Sequence, residues 1–98
     1  GTSGVLTTVG RADRQAAANE LAEDRIEQVK MEPKYTKIDS LYAGTESSFP
    51  TLPGYTRTTT VVQVGGPTQT QDYKMITVTV NGPGLPAPSK RTVFVAAP

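Results

Sequence analysis

Residues 11 to 32, RADRQAAANELAEDRIEQVKME, constrain the fold of this chain more than any other stretch. Ala16, Ala17, Ala18, Leu21, Ala22, Ile26 and Val29 recur at three- and four-residue spacings, which places them on one narrow stripe of a helix with charges around the rest. A stripe built mostly of Ala lets another backbone come close, so it suits packing on a sheet or among parallel helices. The pattern predicts a helix over residues 5 to 32, weakened near Gly10 and stopped before Pro33, because proline disfavours helical geometry in the residue preceding it.

The rest of the chain supplies what that helix packs on. Residues 55 to 64, 73 to 81 and 91 to 97 are rich in Thr, Val, Tyr or Phe and bounded by Gly, Pro or Asp, which predicts three strands. In the second of them Lys74, Ile76, Val78 and Val80 share one face, and Tyr73, Met75, Thr77 and Thr79 the other. One face is therefore expected to cover the helix. Residues 65 to 72 (GGPTQTQD) form a polar hairpin loop, and residues 82 to 89 (GPGLPAPS) a stiff, Pro-rich one. Residues 33 to 54 mix turn formers with anchors Tyr35, Ile38, Leu41, Tyr42, Phe49 and Leu52, the pattern of a long connection pinned to the body, with a short helical turn around residues 38 to 42. The expected organisation is one domain: an appended segment at 1 to 4 (Gly-Thr-Ser-Gly, with native sequence expected upstream), an amphipathic helix at 5 to 32, a linker at 33 to 54 and a sheet region at 55 to 98.

Composition removes several function classes. There is no Cys and no His among the 98 residues. Ser-His-Asp, Cys-His and thiolate or imidazole metal chemistry are thus excluded, and no redox compartment is legible. A formal net charge of +1 lacks the basic excess that a nucleic-acid backbone demands, so nucleic acid is not expected as the main partner. Asp39, Glu46 and Asp72 are scattered acids without ligand spacing, and Gly65-Gly66 lacks the Lys-Ser or Lys-Thr of a phosphate loop. No metal and no cofactor is expected. Thr56, Thr58, Thr60, Thr77 and Thr79 are expected on the solvent face of the sheet, since an ice- or glycan-binding array would want flatter and longer repetition. The aromatic residues Tyr35, Tyr42, Phe49 and Tyr55 are expected to anchor the linker. No apolar run is long enough to span a bilayer and no signal peptide is visible.

The order of an Ala-rich helix (ANELAEDRIEQVK), a linker with Tyr and Leu (KYTKIDSLYAG), then TESSFPTLPGYTRTTTVVQV, DYKMITVTVNGPG and a closing TVFVAAP resembles the globular part of type IV pilin-like proteins. Within that group it is most similar to the minor pilins and to the minor pseudopilins of type II secretion. The resemblance covers residues 11 to 98 and rests on order and spacing. It implies an α+β, pilin-like fold with a long N-terminal helix packed on an antiparallel sheet of three to four strands. It also implies an upstream apolar half-helix as the only membrane contact, other pilin or pseudopilin subunits as partners, and a periplasmic or extracellular filament anchored in the inner membrane before assembly. The chain has neither a C-terminal cysteine pair nor a clustered acidic loop, which favours a minor subunit. The candidate interface is Arg11, Asp13, Arg14, Ala17 and Glu20 on the helix with Arg91, Val93 and Val95 on an open last strand, because residues 5 to 17 would overhang a sheet of this strand length. An adhesive module presenting the two loops is the alternative.

Overall fold

The computed structural model describes residues 11–98, with side chains from residue 13 onward. The part of the expected helix at residues 5 to 10 lies outside the described residues. From Arg11 to Lys30 the chain is α-helical (α1). Its last turn tightens, with the Glu32 N–H donating to the Val29 carbonyl at 3.1 Å, and Pro33 stops it where expected.

The connection that follows is more structured than a linker. A 3-10 turn over Tyr35–Lys37 leads into a one-turn helix, α2 (Ile38–Tyr42), which drives Ile38 into the core. A strand the sequence does not announce, β1 (Gly44–Glu46), comes next. Then follow β2 (Thr56–Gly65), β3 (Asp72–Asn81) and β4 (Ser89–Ala96), close to the expected spans. All pairs are antiparallel, in the order β1-β2-β3-β4. The protein is therefore α+β, one long helix on a four-stranded antiparallel sheet.

The turns explain the register. Gly65 has a φ of +76°, and a Cβ there would stand 1.8 Å from the Gln71 carbonyl oxygen, so the β2–β3 hairpin accepts only glycine. At the other end of the sheet Gly82 lies against the Tyr55 ring, where a Cβ would come within 2.5 Å of a ring carbon. The Tyr55 hydroxyl donates to the Pro83 carbonyl at 2.8 Å, which fixes the Pro-rich loop to the start of β2.

Helix α1 lies over β3 and β4. Ala18, Ala22, Ile26 and Val29 are buried with Ile76, Val78 and Val80, as the stripe predicts, and Ile38, Leu52 and Tyr55 complete the core. Three members of the stripe differ: Ala16 is exposed, and Ala17 and Leu21 sit at its margin, half-buried. Truncating a fully buried Leu costs about 2 to 5 kcal/mol, but for Leu21→Ala the expected loss is about 1 to 2 kcal/mol. Chemical denaturation of the variant checks this.

Candidate assembly surfaces

The helix-facing side of the sheet is not purely apolar. Arg57 (6% exposed) stands on it, and both arms of its guanidinium donate to the Glu46 carboxylate at 2.9 Å. The remaining nitrogen donates to the Leu21 carbonyl at 3.0 Å, in mid-helix, and the group lies 5.1 Å from the centre of the Phe49 ring. Arg25 approaches the same carboxylate at 3.4 Å and donates to Thr59 Oγ1 and the Tyr42 carbonyl. One carboxylate thus joins two arginines, the helix, β1 and β2. The Arg57 hydrogen bonds hold Glu46 below the usual carboxylate range, against the opposing pull of its partial burial, and the two positive charges add to the effect. This network, not strand propensity, accounts for β1.

Lys74 (4% exposed) is the counterpart at the other end. It pairs with Asp39, donates to the Tyr35 carbonyl at 2.8 Å and lies 4.7 Å above the Tyr35 ring. The Tyr35 hydroxyl donates to Asp72 at 2.9 Å, and Gln63 donates to the same carboxylate oxygen at 2.6 Å. Partial desolvation, and then the Asp72 hydrogen bond, hold the Tyr35 hydroxyl above its usual range. These residues border an open cleft of about 640 Å³, rimmed by Pro33, Pro67 and Pro98, at the hairpin end of the sheet. The acids Asp39, Glu46 and Asp72, scattered in sequence, are therefore each tied to a different partner across the connection. Among the described residues no three His, Cys, Asp or Glu side chains converge to hold a metal ion.

The candidate interface residues separate into groups. The Arg11 side chain lies outside the described residues. Asp13 and Glu20 are exposed, and Ala17 is half-buried against the core. Arg14 lies over Gly84 of the Pro-rich loop, 2.1 Å from where a Cβ would sit. Most of the overhang expected from residue 5 to residue 17 lies outside the described residues; within them, the Pro-rich loop reaches the helix at Arg14. On β4, Arg91, Val93 and Val95 occupy the helix-facing side: Arg91 donates to Glu23 at 3.0 Å, and Val93 and Val95 pack against the core. Lys90, Thr92, Phe94 and Ala96 face the other way.

That outer face is organised in rows. Thr45, Thr58 and Thr79 line up across three strands, followed by Thr60, Thr77 and Thr92. Hydroxyl contacts link Thr45 to Thr58 at 3.1 Å and Thr77 to Thr92 at 3.3 Å. Toward the hairpin the rows turn apolar: Val62–Met75–Phe94, then Val64–Tyr73–Ala96. Phe94 is 62% exposed and Val62 47%, and Tyr73 meets Phe94 edge-on at 5.9 Å. Of all these outer-face positions only Lys90 carries a charge. A face with a single charge and a partly apolar end, next to the open edge of β4, is a surface suited to protein contact.

Comparison with known protein families, curated proteins and solved structures returned no match. Among the described residues no helix is long and apolar enough to cross a membrane.

Proposed function

We propose that this chain is the globular part of a minor pilin or minor pseudopilin, a structural subunit that helps assemble or prime a type IV pilus-like filament by helix packing and sheet-edge contact. The observation that carries the reading is the way α1 is laid on the sheet. Its N-terminal half reaches the Pro-rich loop through Arg14, and its small residues Ala18 and Ala22 meet the strands. One flank of the sheet and its whole outer face stay free for neighbours. The connection clamped by Glu46 and Lys74 fits the same reading, because a subunit that bears load between neighbours gains from a fixed link between helix and sheet. Without His or Cys the chain has no imidazole or thiol chemistry to offer, which fits a role exercised through surfaces. The cleft beside Tyr35 is the specific feature that keeps a tip-located adhesive or ligand-binding module as the second reading.

The test is crosslinking in the native membrane. Cysteines at Asp13 and Thr92, both exposed, are introduced into the full-length protein, whose described part supplies no competing thiol. Capture of other pilin-like subunits is expected. No such capture, with filament or secretion function intact after deletion of the gene, overturns the assembly reading in favour of the binding module.

A further inference from the structure

The two outermost strands are complementary in a way that the fold itself does not use. Strands β1 and β4 are separated by two antiparallel steps beyond the first, so they run in opposite directions. A second copy in the same orientation would therefore bring its β1 antiparallel to the free edge of β4. The hydrogen-bond phase allows this. The Ala97 N–H donates to the Asp72 carbonyl at 2.9 Å, in register with the β3–β4 pairing, so residues 89, 91, 93 and 95 bond to β3. Lys90, Thr92, Phe94 and Ala96 then turn their backbone groups to the open edge. In the same way the Gly66 N–H donates to the Gln71 carbonyl at 2.9 Å, which directs Arg57 and Thr59 toward β1 and leaves Thr45 with its backbone groups on the outer edge.

Side chains choose among the four registers. Thr45 opposite Thr92 adds a Thr–Thr pair to those already present across β1–β2 and β3–β4, at a hydrogen-bonded position where those two stand at non-hydrogen-bonded ones. It sets Glu46 opposite Arg91 on the helix-facing side, and Ser47 opposite Lys90, so that no like charges meet. It also sets the small, exposed Ala43 opposite Phe94, the most exposed aromatic of the sheet. With Thr45 moved to Phe94 or Ala96, Glu46 would stand opposite Val93 or Val95; with Thr45 at Lys90, Pro88 would face Ser47. We infer that β1 of a second copy docks on β4 with Thr45 opposite Thr92, joining copies head to tail into one continuous antiparallel sheet with all helices parallel.

The interface is heterologous, so it generates open chains and not closed dimers. The strand α1 follows is β4 itself: Asn19 meets Ser89 and Glu23 meets Arg91, so helix and β4 advance together. The added copy keeps its helix on the same side, because Thr45 and Thr92 both belong to the outer face. The inference rests on the assembly reading for its biological meaning, but its geometry does not depend on it.

Disulfide mapping in the purified chain, which has no native Cys, tests it. In the proposed register the Cα atoms of residues 45 and 92 are about 5.5 Å apart, within disulfide reach. A mixture of Thr45→Cys and Thr92→Cys, oxidised at millimolar protein, should yield about tenfold more linked dimer than either variant alone. The double variant should give a ladder of multimers. Thr45→Cys with Thr58→Cys, neighbours within one chain, serves as the control for oxidation. If the control closes and the mixture gives no excess, the docking is wrong. Efficient homodimers of Val93→Cys without the ladder would instead point to an isologous β4–β4 pairing and equally overturn it. A ladder from a protein that captures no pilin-like subunit in cells would leave the docking standing and remove the pilin reading; no ladder with such capture would do the reverse.

Discussion

Replacing Arg57 with alanine should lower the stability of the domain by about 2 to 4 kcal/mol, read as a shift of the denaturation midpoint at unchanged slope. Arg57 is one of two charged side chains buried on the helix-facing side of the sheet, and its three contacts bridge β1, the helix backbone and the Phe49 ring. Removing it leaves Glu46 with only Arg25 at 3.4 Å, and leaves a cavity where the guanidinium stood. The range sits slightly below that for a fully enclosed ion pair because the Glu46 side chain is 36% exposed and its residual charge keeps some water. Joint replacement by apolar residues, Arg57→Met with Glu46→Leu, should recover a large part of the loss, since no unpaired charge remains. The pH dependence has a definite sign. Glu46 titrates below its ordinary value when folded, so the folded state binds fewer protons there than the unfolded chain. Its contribution is complete above about pH 4.5 and is lost as pH falls through the lower folded value. Wild type should therefore lose stability on acidification through that range, and Glu46→Gln should show a smaller loss over it.

What was legible in the sequence follows from periodicity. The spacing of Ala18, Ala22, Ile26 and Val29, and the alternation of Ile76, Val78 and Val80, each mark one face, and the structure brings those two faces together. The turn residues Gly65, Pro88 and Pro33 punctuate the elements because each has a backbone constraint that acts locally. Arg57 was not legible as an inward residue. TRTTT places Thr on both faces and reads as polar throughout, and the partners of Arg57 lie 11 and 36 residues away. Strand β1 is hidden in the sequence for the same reason: Gly44-Thr45-Glu46 has little intrinsic strand preference, and its pairing is set by the Glu46–Arg57 contact. Lys74 falls on the face that alternation assigns it, but its neutralisation by Asp39 depends on a turn of helix that only the folded connection creates. The β4 phase is subtler. Val93 and Val95 look like an exposed edge in a short closing strand, whereas the register with Ile76 and Lys74 turns them toward α1 and leaves Phe94 outside.

The close approach of α1 to the sheet predicts the severest single substitution. Ala22 has no exposed surface and belongs to the cluster formed with Ile76, Val78 and Val80. Ala22→Asp would place a carboxylate in that contact. The buried cations on this side, Arg57 and Lys74, are already held by Glu46 and Asp39, so neither is free to neutralise the new charge. A loss of about 4 kcal/mol or more is expected, a large part of the 5 to 15 kcal/mol typical of a domain's whole stability. Ala22→Leu separates charge from volume: three extra carbons in a filled contact should cost about 1 to 3 kcal/mol, with the helix displaced but still attached. Ala16→Leu, on an exposed position of the same helix, should stay within about 0.5 kcal/mol of wild type. Denaturation curves for the three variants, with a dye that reports exposed apolar surface, provide the measurement. If Ala22→Leu proved as harmless as Ala16→Leu, the helix would not be held at Ala distance from the strands, and the packing on which the assembly reading depends would be wrong.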